Sequence, residues 1–228
     1  MLTKKKKLSR KEIKEDKLVS TYYKAYGYFE ENRSRVLMVG GILVAVALLI
    51  YFYINNRIED NRIAGIELAR TMQSYDQGAY LEAIEGKEGT NNVGLKKIVE
   101  DYGSTENGEY AKIYLANSYN FLDRDDEALK YYEDYSDGSK IFKATAFAGQ
   151  AGIYETRKDY QKAADLYLKA SRVLDHNVLN PDYLLKAGIN YMHAGNKDKA
   201  KELFKEIKQD YNTSTAFREV DRYLAQVQ

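Results

Sequence analysis

Side chains that carry chemistry are few in this chain and poorly placed for it. There are two histidines, His176 and His193, and no cysteine. Neither histidine has carboxylates at metal-ligand spacing, so no zinc-type ligand set can be drawn. Ser104, Ser118, Ser139 and Ser171 lack the strand–turn–helix setting of a hydrolase nucleophile. Glycine-rich phosphate loops are absent. Carboxylates are plentiful, but with Lys at i+3 or i+4 they read as solvated helix faces. The expectation is a protein that is not an enzyme and carries no metal or other cofactor. What recurs instead is a set of small, aromatic and polar residues at fixed spacing, and the chemistry such a set offers is recognition of another polypeptide.

Three segments align: "AKIYLANSYNFLDRDDEALKYYEDY", "AFAGQAGIYETRKDYQKAADLYLKA" and "YLLKAGINYMHAGNKDKAKELFKEI". Ala116, Ala151 and Gly188 each lie three residues before a tyrosine, namely Tyr119, Tyr154 and Tyr191. Twelve residues after each small residue comes Ala128, Ala163 or Ala200, and four further on Tyr132, Tyr167 or Phe204. The alanine-to-alanine steps are 35 and 37 residues, near the ~34 of a two-helix repeat. The small residues let two helices approach closely, and the aromatics fill the space between neighbouring hairpins. Polar turns at 123–125, 157–159 and 195–198 separate the helices of each pair. Asp125, Asp159 and Lys197-Asp198 read as helix starts, and Asn180-Pro181 as N-cap and first turn. A single proline in 228 residues and apolar spacing of this kind predict an all-α fold.

Flanking pieces extend the pattern. "IVEDYGST" (98–105) echoes "IKQDYNTS" (207–214), each a helix end, a turn and a new start. Ala64, Leu68, Met72 and Tyr75 form an apolar stripe, and Tyr80–Ile84 opens another helix, so 55–108 reads as a degenerate first repeat. The stretch "GKEGTNNVG" (86–94) is expected to be the flexible point. Three repeats fill 109–214. Phe217, Val220, Leu224 and Val227 give 215–228 one apolar face, as a terminal capping helix requires.

Residues 36–54 contain no charge and no strong polar group over 19 positions, enough for about 30 Å of hydrocarbon. The run exceeds a signal-peptide core and ends in Tyr51-Phe52-Tyr53, where a bilayer interface would fall. It reads as a single anchor rather than a cleaved signal. Residues 1–35 hold eleven Lys/Arg against five Asp/Glu, a surplus of six, so the remainder is net acidic. Positive-inside reasoning places the N-terminus in the cytoplasm and the C-terminal domain across the membrane, in the periplasm of a bacterium. Ser9 and Glu12 fit a capping box, and Leu18, Tyr22, Tyr26 and Phe29 share one helix face. This basic amphipathic helix is expected to lie on anionic headgroups rather than on nucleic acid.

The layout of basic N-terminus, one span, "YLEAIEG", "GLKKIVEDYGSTENGEYAKIYLA" and repeats resembles single-span bacterial inner-membrane tetratricopeptide-repeat proteins. These are similar to the ancillary subunit associated with the Sec translocon and periplasmic chaperones. The resemblance implies an α-solenoid whose A helices line a concave groove. Groove positions then fall on Tyr110, Ile113, Asn117, Asn120 and Phe121; on Thr145, Ala148, Gly152, Glu155 and Thr156; and on Asp182, Leu185, Ile189, Met192 and His193. A carboxylate clamp would need Lys or Arg beside Asn117, but Ile113 stands there, and Asp182 opposes Lys186. The groove suits an extended segment or partner helix instead. Expected partners are the secretion channel, periplasmic chaperones or exported chains, with lipid at the span and no small-molecule substrate. The rival expectation is a structural scaffold subunit of an envelope complex.

Overall fold

The computed structural model describes residues 10–136 and 138–227, with backbone only for 10–16 and for Leu18. The Lys4–Lys7 run and the Ser9–Glu12 capping box therefore lie outside the described residues, as does the Leu18 side chain. All described elements are α-helices, and the chain divides into two units, Met1–Asn56 and Arg57–Gln228.

The first unit holds α1 (Arg10–Glu31) and the beginning of α2 (Arg33–Asp76). Tyr22, Tyr23, Tyr26, Tyr28 and Phe29 of α1 are all exposed. In α2 the large apolar residues from Leu37 to Ile54 are exposed as well, and the helix is long and apolar enough to cross a membrane.

The second unit begins within α2, whose Ala64, Leu68, Thr71 and Ser74 are buried. Two short helices follow, α3 (Tyr80–Glu85) and α4 (Leu95–Tyr102). Three hairpins come next: α5 (Glu106–Phe121) with α6 (Asp125–Asp134), α7 (Lys140–Thr156) with α8 (Tyr160–Arg172), and α9 (Asn180–His193) with α10 (Lys197–Asp210). α11 (Thr215–Leu224) packs on α9 and α10, closing this solenoid with Val220 fully buried.

Helix starts follow local side-chain chemistry. Thr105, Ser139, Asp159, Asn196 and Ser214 each accept a hydrogen bond from a first-turn N–H, satisfying a donor that the helix leaves unpaired. Thr105 and Ser214 are the ends of the two echoing octapeptides, so both serve the same role. Asn180 differs from its expected place, because α9 starts on Asn180 itself. Its buried amide donates back to the Leu174 carbonyl at 2.7 Å, which leaves it no role as a cap.

The 86–94 stretch is also tied down more than its composition suggests. Asn92 Oδ1 accepts from Thr71 Oγ1 at 2.8 Å and from the Gly94 N–H at 3.1 Å, while its Nδ2 donates to Ser74 Oγ. One amide thus stitches the loop to α2.

Candidate functional site

The first helices of the three hairpins, α5, α7 and α9, carry the groove positions expected from the sequence, and the repeat register governs how closely each packs. Gly188 sits where an added Cβ would come within 2.3 Å of the Phe204 ring, so α9 and α10 approach closely only because no side chain intervenes. Between hairpins the same logic holds at Gly149, whose Cβ would meet the Tyr132 ring at 2.3 Å. Close packing fixes the helices, and the A-helix face takes its shape from them.

Hydrogen bonds then set individual side chains on that face. Tyr132 donates its hydroxyl to Asn117 Oδ1 at 2.6 Å, and Asn117 Nδ2 donates to the Tyr75 hydroxyl at 3.2 Å. Asn117 is therefore held between α2 and α6. One hairpin later, Tyr167 donates to Glu155 Oε2 at 3.0 Å and Asn190 Nδ2 donates to Glu155 Oε1 at 3.0 Å. Burial pushes the Tyr132 phenol well above its ordinary range. Burial does the same to Tyr167, and the Glu155 carboxylate beside it adds to the effect. Lys186 is exposed, with Nζ 5.3 Å from the centre of the Tyr167 ring.

The expected groove residues divide accordingly. Asn120, Phe121, Thr156, Asp182, Lys186 and His193 are exposed; Tyr110, Asn117, Thr145, Ala148, Gly152, Glu155, Ile189 and Met192 are half-buried. Ile113 and Leu185 are corrections: they are 0% and 8% exposed and belong to the hydrophobic core. Ile113 is packed in the same cluster as Ala83 and Ile84 of α3. Leu185 is packed with Tyr167 and Ala144. Rings from outside the three A-helix registers, Tyr75, Tyr80 and Phe142, join Tyr110 and Phe121 on this face, and Tyr114 completes the group. The sequence places Tyr110 and Phe121 on this face, Tyr75 and Tyr80 read only as part of the degenerate first repeat, and Tyr114 is legible as the i+4 partner of Tyr110.

No three His, Asp or Glu side chains converge as a metal set among the described residues. His193 instead lies 5.1 Å from the Tyr160 ring, and His176 is exposed in the connection to α9. Away from the A-helix face, an open cleft of ≈ 960 Å³ runs between α4, α6 and the end of α7. Its lining mixes Lys96 and Lys130 with Glu100, Asp126, Glu133 and Asp134, a net acidic set of both signs.

Residues 182–214 cover nearly all of α9, then α10 and the turn into α11, and they match the family model for the tetratricopeptide repeat. The tetratricopeptide hairpin is a protein-interaction fold, built by stacking units that cannot bury their apolar faces alone. The chain is also similar in fold to the crystal structure of nearly identical TPR-like repeats, described as those of a Podospora anserina kinesin light chain. That match has a TM-score of 0.55 and 15% identity, over 74% of this chain and 85% of that one. No curated protein matches the chain.

Proposed function

We propose that this is a membrane-anchored tetratricopeptide interaction protein without catalytic activity, whose A-helix face holds segments of partner polypeptides. The observation that carries the reading is the state of that face. Asn120, Phe121 and Thr156 are exposed on helices that packing holds rigid, beside half-buried Tyr110, Asn117 and Glu155. A fixed, partly aromatic surface of this kind binds chains at little conformational cost.

Residues 36–54 supply the anchor, since they bury nothing within their own unit and meet the length of a bilayer core. The basic residues before the span keep the N-terminus cytoplasmic, with α1 on anionic lipid, and put the hairpins in the periplasm. There the anchor raises effective concentration, so modest affinity suffices to recruit a secretion channel, chaperones or exported chains. Photocrosslinking in cells from Asn120, Thr156 and His193 tests this. Secretion-channel or exported proteins among the products support it; cytosolic products overturn the topology, and no protein products at all overturn the interaction role.

A scaffold role in a stable envelope complex is favoured by one observation: the apolar side chains from Leu37 to Ile54 are exposed all along the helix, and Gly40 and Gly41 have open space around them. Exchanging 36–54 for an unrelated span separates the two readings. Crosslinks from the A-helix face persist under the first and vanish under the second.

A further inference from the structure

A continuous row of six rings crosses the A-helix face. Phe121 stacks on Tyr80 with centroids 4.6 Å apart, Tyr80 meets Tyr75 edge-on at 5.7 Å, and Tyr75 meets Tyr114 at 5.1 Å. The row continues from Tyr114 to Phe142 at 5.9 Å and ends with Tyr110, 4.7 Å beyond. Phe121 is 58% exposed and the other five are half-buried, so the row is surface rather than core.

Two carboxylates interact directly with its rings. Glu106, exposed in the first turn of α5, accepts the Tyr110 hydroxyl at 2.6 Å. Asp76, exposed at the end of α2, adds to burial in holding the Tyr114 phenol above its ordinary range, and acts similarly on Tyr75. Neither carboxylate has a Lys or Arg partner among the described ion pairs.

Elsewhere the protein covers its own rings with cations. Arg124 lies over Tyr119, Lys162 over Tyr154, Lys199 over Tyr191 and Lys208 over Phe217. None of the described cation–ring contacts falls on the six-ring row. Ring faces with bordering carboxylates and no internal cation are the electrostatic complement of a positive side chain.

We infer that the row from Phe121 to Tyr110 seats a basic segment of a partner polypeptide, with Lys or Arg laid over the rings and paired with Glu106 or Asp76. This rests on the reading that the A-helix face binds polypeptide, and it names the chemistry of the segment bound. It also agrees with the missing clamp: a groove for an anionic chain end would carry Lys or Arg beside Asn117, where this one has Ile113, whereas the ring row here is bordered by Glu106 and Asp76. Each ring-bound cation strengthens binding by roughly two- to fivefold, and the carboxylates make the affinity salt-dependent.

The test uses the full chain in zwitterionic detergent with short synthetic peptides on one Ala-Ser-Leu framework, made Arg-rich, Gln-rich or Glu-rich and followed by fluorescence anisotropy. The Arg-rich peptide is expected to bind about tenfold more tightly than the Gln-rich one at low salt, and the Glu-rich peptide more weakly than either. Phe121→Ala and Glu106→Gln should each reduce the Arg-rich affinity severalfold, and each should narrow the preference for the Arg-rich over the Gln-rich peptide. Both positions are exposed, so neither change disturbs the core. Equal affinities for the Arg-rich and Gln-rich peptides overturn the inference. If crosslinks from Asn120 and Thr156 still capture protein in that case, the interaction reading survives; if they capture none, both fall. A Lys4–Lys7→Gln variant that binds the Arg-rich peptide more tightly would make the chain's own N-terminus the occupant, and that too overturns the assignment.

Discussion

Asp123, Lys158 and Gly195 stand at the same place in the three hairpins, just past the end of each A helix, with φ of 57°, 63° and 84°. The following N–H, from Arg124, Asp159 or Asn196, returns to the carbonyl of Tyr119, Tyr154 or Tyr191 at 2.8–2.9 Å, which is the Schellman closure. A non-glycine residue costs about 1–2 kcal/mol in that left-handed region, less for Asp because its short side chain bonds locally. Lys158 has no such compensation. Lys158→Gly is therefore expected to stabilise the fold by up to about 1 kcal/mol, after the extra entropy that glycine loses. A urea midpoint that rises with an unchanged slope is the signature; a fall shows that the Lys158 side chain contributes more than its backbone costs. A second expectation concerns Tyr132 and Tyr167, whose phenols burial holds above the ordinary value of 10.0. The folded state prefers their neutral form, so this stabilisation is complete below about pH 10 and is lost as pH rises further. Alkaline titration should show the exposed tyrosines ionising first and a last fraction of the tyrosinate signal, from the buried phenols, appearing only as helical circular dichroism disappears. Ionisation of all tyrosines while the helices persist would contradict it.

Two glycines separate helix propensity from packing. In a helix interior, Gly→Ala ordinarily gains up to about 1 kcal/mol. At Gly152 the added Cβ would meet only the Tyr167 hydroxyl at 3.5 Å, an ordinary contact. At Gly188 it would sit 2.3 Å from a fully buried Phe204 ring. Overpacking costs about 1–3 kcal/mol, which outweighs the propensity gain. Gly152→Ala is thus expected to raise the melting temperature and Gly188→Ala to lower it, and equal shifts would mean that the α9–α10 approach is not close. This pair also shows what the sequence made legible. The step from small residue to tyrosine, alanine and aromatic is dictated by contacts inside one hairpin or with the next, so it repeats and can be read. Ile113 could not be placed this way, because what buries it is a cluster containing residues of α3, more than 25 residues earlier in the sequence. The aromatic row escaped as a unit: Tyr75 and Tyr80 belong to α2 and α3, outside the aligned hairpins, and Phe142 lies in the first turn of α7, ahead of its aligned segment. Asn92 gave no sign of pinning its loop, since Ser74 and Thr71 lie on a different helix.

The hydrophobic core of the second unit is two clusters rather than one. The first runs from Ala64 and Leu68 through Ile84, Ile98 and Leu115 to Ile153; the second runs from Ala144 and Ala151 through Tyr167, Tyr191 and Phe204 to Val227. Both draw on α7, with Ala146 and Ile153 facing one side and Ala144 and Ala151 the other, and Tyr154 packs against both. Each hairpin of such a stack is stabilised mainly by its neighbours, so damage should stay near its source. Phe204→Ala removes a fully buried ring and is expected to cost about 3–5 kcal/mol. Hydrogen exchange should then quicken through α8 to α11 first, while amides of α5 and α6 keep their protection, because Tyr132, Ile113 and Leu115 retain every contact in their own cluster. Loss of protection at one rate across Arg57–Gln228 would show that α7 couples the clusters into a single cooperative unit. Localised loss would mean instead that the ring row, which belongs to the first cluster's side of α7, stays formed when the C-terminal hairpins open. A basic segment could then remain bound at one end of the A-helix face while the other end exchanges partners.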